Sequence, residues 1–372
     1  SLGGATPGGI YCSSLHPPWS GYARPAVRGK PQPDRRMKLL IVILNYNVTD
    51  LTIDCLRSLE PRMGEVPGAR VALVENGSAP EAAVRLRQVI AEHGWESWVE
   101  LIEVRPNRGV TGGNNIALRA AMASDDPPEY FLLLNSDTLV EDGALGALVE
   151  LMDRRPRAGI AGSRLLGPDG AVQASPFRHH SVASELDRGL RLGIVSALLR
   201  RWDVVVPPPD HATRADWVSG ASMVLRRTML EEIGLLDEGL YTSWDDCDLG
   251  LRAQRAGWET WFEPVSRVVH LEGAATGIVH RVVKRRPPYW FQARRRYFLK
   301  NRGPLYTALA DAAYITGACL FKVHNGLRGR QDDAPPHFLR DFIRHSVFGA
   351  GFRVTEVENP ALREAAGDPA AS

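Results

Sequence analysis

The sequence has no CxxC pair and no histidine at zinc-finger spacing, and its four cysteines, Cys12, Cys55, Cys247 and Cys319, lie far apart. That spacing offers no basis for a structural metal cluster and points to a reducing compartment. No apolar core of a secretory signal stands near the N-terminus. No run is both long and uncharged enough to read as a membrane span. The nearest, "LYTALADAAYITGACLF" (305–321), carries Asp311 and several polar residues and reads as a docked or interfacial helix. Internal repeats are missing, and so are GxGxxG and GxxxxGK[ST], the dinucleotide and P-loop signatures. One region lacks carboxylates altogether. From Arg281 to Arg302 there are nine Lys or Arg and no Asp or Glu, interleaved with Tyr289, Trp290, Phe291, Tyr297 and Phe298. Such a stretch suits a diphosphate, an anionic lipid headgroup or nucleic acid, or is a solvated face.

What remains is ordinary for a soluble globular chain: 372 residues, 44% hydrophobic, 24% charged, net charge +2. That length holds one large α/β domain with appendages, or two modest ones. Residues 1–36 are rich in Gly, Pro, Ser and Arg, then give way at Met37 to "KLLIVIL". They read as a disordered or non-native extension, with the folded domain starting at Met37. Short apolar runs at 39–44, 70–74, 98–104 and 129–134 alternate with amphipathic stretches at Thr49–Leu59, 80–94 and 114–124. This β/α rhythm predicts an α/β fold with a mostly parallel sheet flanked by helices.

In such sheets ligands bind beyond the carboxyl ends of the strands. Those ends read Asn45-Tyr46-Asn47, Glu75-Asn76-Gly77, Asn107-Arg108-Gly109 and Asn135-Ser136-Asp137. Turn chemistry explains any one Asn or Gly; four such ends converging on one edge make a binding crevice. "NRGVTGGNN" (107–115) opens a helix and presents backbone N–H groups to an anion. Asp137, just past a buried strand, suits a hard divalent cation or a helix N-cap. "DWVSGASMVLRRTMLEEIG" (216–234) reads as strand, loop and helix, with Gly220 allowing close approach. Then Asp245, Asp246 and Asp248 crowd the start of the helix "CDLGLRAQRAG". Helix-dipole capping accounts for one or two of them and less well for a third. Asp246 is placed to act as a general base, with Asp248 capping or orienting it. His270 ends a strand-like run and returns toward Asp137 only if the sheet brings it there.

In their order and spacing, "VILNYN", "VENGS", "NRGVTGGNN", "LLLNSDT", "WVSGASMVLRRTMLEEIGLLDEGLYTSWDDCDLGLRAQRAGW" and "HLEGAATG" resemble the inverting nucleotide-sugar glycosyltransferases of family two, and within them the rhamnosyltransferase-like branch. The resemblance runs from about Lys38 to Gly303, and "RRRYFLKNRG" is similar to the family's C-terminal element. It implies a GT-A fold, Rossmann-like, with a helical C-terminal extension. It implies that Asn45 and Asn47 hold the nucleoside and that Glu75, in place of the usual Asp, accepts from the pyrimidine beside Asn76. Asn107, Gly109 and Asn114 line the nucleotide and sugar pocket by the same likeness. Asp137 matches the last carboxylate of the family's metal motif, whose first position is Asn135, and His270 its distant ligand for Mg²⁺ or Mn²⁺. Asp245-Asp246 match the catalytic pair, with Asp246 the base, and Trp217, Ser219 and Gly220 fall in the acceptor-side loop.

The expected organisation is a domain over 37–303, with a nucleotide-sugar-binding half (37–140) and an acceptor half (141–303). A helical extension (304–350) and a flexible tail (351–372) follow. The expected reaction is a single inverting displacement from a pyrimidine-nucleotide sugar, dTDP-rhamnose being typical of the branch. The acceptor is a saccharide or lipid-linked saccharide in cell-surface polysaccharide synthesis, in the cytoplasm or at the inner membrane face. The basic-aromatic stretch and the amphipathic segment 182–200 suit peripheral membrane docking, and nucleic acid is not an expected partner. Like-charge repulsion from Asp245 and Asp248 is expected to raise the proton affinity of Asp246. Two rivals stand beside this reading. A sugar nucleotidyltransferase would carry a Gly-rich basic loop after the first strand, where this chain has "NYNVTD". A non-catalytic nucleotide-sugar-binding protein would have no use for the carboxylate cluster.

Overall fold

The computed structural model describes residues 37–271, 285–329, 334–357 and 359. The extension 1–36, the end of "HLEGAATG", Arg281, Lys284 and most of the tail lie outside the described residues.

The first half alternates β1 (Leu39–Asn45), α1 (Thr49–Leu59), β2 (Arg70–Asn76), α2 (Pro80–Glu92), β3 (Val99–Val104), α3 (Gly109–Met122) and β4 (Tyr130–Asn135). Then come β5 (Thr138–Val140), α4 (Ala144–Arg154), β6 (Ala158–Leu166), β7 (Pro176–Phe177), α5 (Val182–Leu190) and α6 (Gly193–Leu199). The chain continues through β8 (Thr213–Ala215), β9 (Trp217–Val218), β10 (Ser222–Arg226), α7 (Arg227–Ile233), α8 (Asp245–Arg255) and β11 (Glu259–His270). It closes with α9 (Pro288–Leu327), α10 (Phe338–His345) and α11 (Val347–Ala350).

The sheet order is β3-β2-β1-β4-β10-β6-β11-β5, with β8 on β11. β3, β2, β1 and β4 run parallel, as do β6 and β11, while β10 runs antiparallel between β4 and β6. This is the anticipated GT-A architecture, a mostly parallel sheet flanked by helices with a long C-terminal helix. β1 is continuously apolar because both its faces are covered. Leu39, Ile41 and Ile43 join the core beneath α1, α2 and α4, while Leu40 and Val42 join the core under α3 and α8. Each such fully buried side chain contributes about 1.5–3 kcal/mol.

Two expectations change. α3 begins at Gly109, five residues before the amphipathic pattern becomes visible, because Gly112 and Gly113 are weak helix formers by sequence. They are there for closeness: a side chain at 113 would collide with Leu44 and Asn76. The segment 182–200 is two helices, broken at Arg191 (φ 46°). α5 packs against α9, Gly189 meeting the backbone of Tyr314 and Gly317, so this side of the segment is not a free lipid-facing surface.

Candidate active site

The loops after β1, β2 and β3 are tied by a buried polar network. Glu75 accepts from the backbone N of Ser78 at 2.5 Å, from Ser78 Oγ at 2.8 Å and from the Asn45 amide. Thr52 Oγ1 donates to Asn45 Oδ1 at 2.8 Å, and the backbone N of Asn47 donates to Ser78 Oγ at 2.9 Å. One loop further, Asn76 donates to Asn107 Oδ1 and to the Gly109 carbonyl, each at 3.0 Å, and accepts from Arg108 N at 3.0 Å. Asn107 Oδ1 also receives Gly109 N at 2.7 Å. Asn45, Glu75, Asn76 and Asn107 are buried, so the Asn-rich strand ends set loop shape, while Tyr46 and Asn47 face solvent. Burying these groups is tolerable only because they satisfy one another. Asn114 donates to the Val110 carbonyl at 2.9 Å, inside α3.

Tyr241 completes this wall, and nothing in its local sequence marked it. Its carbonyl accepts from Val110 N at 2.7 Å, and its ring lies where any side chain at Gly109 (φ 72°) would stand. Tyr241, Ser243 and Trp244 all hold positive φ, a conformation costing about 1–3 kcal/mol per non-glycine residue. That strain sits directly before α8, and the Trp244 ring anchors it among His180, Tyr297 and Phe298.

The two candidate metal ligands meet across strands. β11 pairs antiparallel with β5, setting His270 opposite Thr138, and Leu271 N donates to the Asp137 carbonyl at 2.9 Å. His270 Nε2 lies 3.4 Å from Asp137 Oδ1, a buried oxygen that takes no hydrogen bond. An orphaned buried carboxylate oxygen is costly unless something charged completes it. Among the described residues no group of three or more His, Cys, Asp or Glu forms a metal cage. Two protein ligands of hard or imidazole type, with the rest of the shell left to water and phosphate, fit Mg²⁺ or Mn²⁺. Asn135 is exposed at the same edge.

The register of β11 is part of this placement. Glu263 pairs with Ser163 and Arg267 with Arg164, so residues 264–266 bulge out of the ladder. Ser266 Oγ is held at 2.7 Å from Ser163 Oγ, which is itself 2.7 Å from Ser222 Oγ.

The acidic cluster separates into two kinds. Ala221, just before β10, lies opposite the end of β4, with Asn135 N donating to its carbonyl at 3.0 Å. The neighbouring Gly220 N reaches Asp246 Oδ2 at 3.4 Å, which brings Asp246 to the edge that carries Asn135 and Asp137. A methyl at Gly220 would meet only Asp246, at 3.8 Å, so this glycine is not required by packing inside the protein. Asp246 Oδ1 caps Cys247 N at 2.8 Å. Among the described residues no cation pairs with Asp245 or Asp246. Both are partly exposed by surface, yet their carboxyls are withdrawn enough that burial raises both proton affinities. The pair titrates with apparent values of about 7 and about 6. Repulsion is the second cause for Asp245; for Asp246, burial is the reason, which corrects the expectation of repulsion from Asp245 and Asp248.

Asp248 is different. It is buried and takes bonds from Arg252 at 2.9 Å, Lys300 at 2.9 Å and Asn301 at 2.7 Å. It clamps α8 to α9 and does not touch Asp246. Four cations of the basic stretch are likewise spent on partners within the protein. Arg296 and Lys300 bind Asp237, whose carboxyl they hold well below the usual range against the opposing effect of burial. Arg294, almost fully buried, bridges Glu185 and Asp311. Arg295 serves carbonyls of Ala350 and Gly351. These four cations therefore do not form a surface for a diphosphate or lipid.

Trp217 is buried, stacked on Phe177 with ring centroids 4.0 Å apart, its Nε1 donating to the Arg178 carbonyl at 2.9 Å. Ser219 N donates to the Ser175 carbonyl at 3.2 Å. Trp217 thus supports the 219–220 turn from behind.

The carboxyl ends of the strands thus bring to one edge a carboxylate–histidine pair and an aspartate pair that has no cationic partner among the described residues. The description "Glycosyltransferase like family 2" matches residues 36–297, and the chain belongs to that family of glycosyltransferases. It is 29% identical over 226 residues to the N-acetylglucosaminyl-diphospho-decaprenol L-rhamnosyltransferase of Mycobacterium tuberculosis, covering 56% of this chain and 68% of that one. It is 25% identical over 218 residues to the low-salt glycan biosynthesis hexosyltransferase Agl10 of Haloferax volcanii, covering 58% and 62%. Among solved structures it is similar to the mannosyltransferase PcManGT from Pyrobaculum calidifontis, at 17% identity and a TM-score of 0.48, over 92% of this chain and 83% of the other.

Proposed function

We propose that the protein transfers a sugar, with inversion, from a pyrimidine-nucleotide diphosphate donor to a hydroxyl of a saccharide or lipid-linked saccharide in cell-surface polysaccharide synthesis. The observation that carries this reading is Asp246, a carboxylate without a cationic partner among the described residues, with raised proton affinity, at the edge that also holds Asp137. dTDP-rhamnose is the donor of choice, supported by the name of the mycobacterial relative, which also specifies a diphospho-polyprenol acceptor.

In the reaction, Asp246 accepts the proton of the acceptor hydroxyl as its oxygen bonds to the anomeric carbon and the bond to the diphosphate oxygen breaks. Asp245, whose own proton affinity is raised by burial and then by Asp246, titrates together with it. The Gly220 amide orients Asp246. The expected anion site at the start of α3 is filled from within: Gly109 N donates to Asn107 Oδ1, and Val110 N and Thr111 N donate to the Tyr241 carbonyl, so these groups are not offered to the donor phosphates. Asn47 and the Glu75-centred loops shape the nucleoside side, and Ser219 and Gly220 border the acceptor. Asp137 and His270 would hold a Mg²⁺ or Mn²⁺ ion, which when bound neutralises charge on the diphosphate leaving group. Working at the cytoplasmic membrane face would give access to a lipid-linked acceptor.

The test is thermal stabilisation by dTDP, UDP and GDP, each with Mn²⁺ and with EDTA, followed by the anomeric configuration of the product. A metal-dependent rise in melting temperature with one pyrimidine diphosphate is expected. No shift with any of the three would sink the donor assignment, and a retained configuration would sink the single displacement.

A further inference from the structure

The chain after α11 runs back over the first half of α9 to the wall built by the Asn107 loop and Tyr241. Two arginines of α9 hold its path. Arg295 Nη1 donates to the carbonyls of Ala350 and Gly351 at 3.0 and 2.8 Å, and its Nη2 donates to Thr355 Oγ1 at 3.0 Å. Arg296 Nη1 donates to the Thr355 carbonyl at 2.9 Å, while its Nη2 holds Asp237 at 2.8 Å. Residues 351–356 are exposed, so the segment lies on the surface up to Val357. A peripheral segment of this kind is ordered only where something ties it down.

Two residues tie it to the wall. Val357 is 6% exposed and joins the apolar cluster that contains Leu240 and Tyr297, with Tyr241 packed against that cluster. Its backbone N donates to the Gly239 carbonyl at 2.8 Å. Two positions on, Asn359 Nδ2 donates to the Asn107 carbonyl at 3.0 Å, across 252 positions of sequence. Gly239 and Asn107 flank the two pieces that meet in the wall, where the Tyr241 carbonyl takes Val110 N and Thr111 N. The segment thus spans from outside the same joint that those amides close from inside. The joint needs bracing. Tyr241 holds a positive φ of 52°, and such a conformation persists only where its surroundings over-determine it. The facing turn opens on Gly109 and continues through Gly112 and Gly113, residues that fix their own backbone poorly.

We propose that residues 351–359 are a strap that positions the donor side of the crevice, Val357 and Asn359 acting through Tyr241 and the Asn107 loop to set the wall before a nucleotide arrives. The proposal rests on reading that wall as the nucleotide side of a transferase site. A wall set in advance spares the ligand the cost of ordering it, which appears as affinity. The strap's contacts fall on Asn107 and on the 237–241 turn and not on Asp246 or the Ser219–Gly220 turn, so its effect belongs to donor binding and not to proton transfer. An interaction that holds ground state and transition state alike moves KM and leaves kcat in place.

The test is hydrogen exchange of the full chain without nucleotide, read at Val110 and Thr111, beside dTDP affinity by calorimetry with Mn²⁺ and the kinetic constants of transfer. In Asn359→Ala, and more so in Val357→Asp, exchange at those two amides should quicken. For Asn359→Ala the dTDP dissociation constant and the donor KM should both rise about two- to tenfold, the worth of one hydrogen bond. The kcat and the acceptor KM should hold, and Val357→Ile should match wild type throughout. If Val357→Asp fails to fold, Asn359→Ala alone decides. Unchanged exchange in Asn359→Ala overturns the strap. So does faster exchange with unaltered dTDP affinity, or a lower kcat at constant donor KM, since the segment then does not act on donor binding. The transferase reading fails differently: a wild-type chain that binds none of dTDP, UDP and GDP removes the donor, and the exchange rates then decide whether the segment braces the wall.

Discussion

Asp248 and Lys300 lie 52 residues apart in the chain and 2.9 Å apart in space. That contact decides the fate of the third aspartate in "SWDDCDLG". Neutralised by Lys300 and Arg252, it is free to be buried, while Asp245 and Asp246, three and two positions earlier, have no such partner among the described residues.

The first prediction follows from that division. Asp246→Asn removes the proposed base and should lower turnover by about 10²–10⁴-fold, with dTDP binding measured calorimetrically close to wild type. Near-normal turnover would end the assignment. The chosen variant keeps the side-chain shape and, through its one amide oxygen, the Cys247 cap, but gives up the long Gly220 contact, so its denaturant midpoint is measured beside turnover.

Asp248 gives the opposite signature. Asp248→Ala leaves Lys300 and Arg252 facing an uncompensated site and should cost about 3–5 kcal/mol of stability, the usual scale for breaking a buried pair. Denaturant midpoints should show the loss, and Lys300→Ala should show a smaller one because its side chain is partly exposed. Equal stability of wild type and Asp248→Ala would contradict the clamp.

The raised affinities of Asp245 and Asp246 set a pH dependence with a definite sign. A carboxyl that binds its proton more tightly when folded stabilises the protein at low pH. That contribution is lost as pH rises from the unfolded value near 4 through about 6 to 7. Turnover has the reverse slope, because the base must be ionised, so it should rise over the same window. Asp245→Asn should therefore raise the melting temperature at pH 8 and change it little at pH 4. A lower melting temperature at pH 8 would show that ionised Asp245 is stabilised in the folded protein.

Metal removal provides the fourth test. Activity should vanish in excess EDTA and return with Mn²⁺ or Mg²⁺, and Asp137→Ala should abolish the stabilisation that Mn²⁺ confers in the presence of dTDP. Undiminished transfer in EDTA would remove the metal from the reaction, whatever the geometry of Asp137 and His270.

The parallel half of the fold was legible because its strands are buried on both faces and therefore continuously apolar. β1 and α1 fall within a residue of where the pattern puts them. The start of α3 was hidden because its first turns are built from glycines chosen for close approach to Leu44, Asn76 and Tyr241 rather than for helix propensity. At the site, residue types pointed to the right edge of the sheet, but not to the division of labour. Arg294 reads as a surface cation until Glu185, 109 residues earlier, is seen against it. Ser78 and Tyr241 stand inside quoted motifs without being singled out, since one is an ordinary turn serine and the other acts through its carbonyl and ring edge.

The bulge at 264–266 gives β11 a sensitivity that substitution scans would miss. Side chains alternate between faces of a sheet, so a strand's parity determines which side of the sheet each residue addresses. Removing one residue between Glu263 and Arg267 would turn the imidazole of His270 to the opposite side, although every amino acid of the crevice would still be present. Removing two would preserve parity but pull Ser266 away from Ser163. In this segment the number of residues, more than their chemistry, sets where the histidine points.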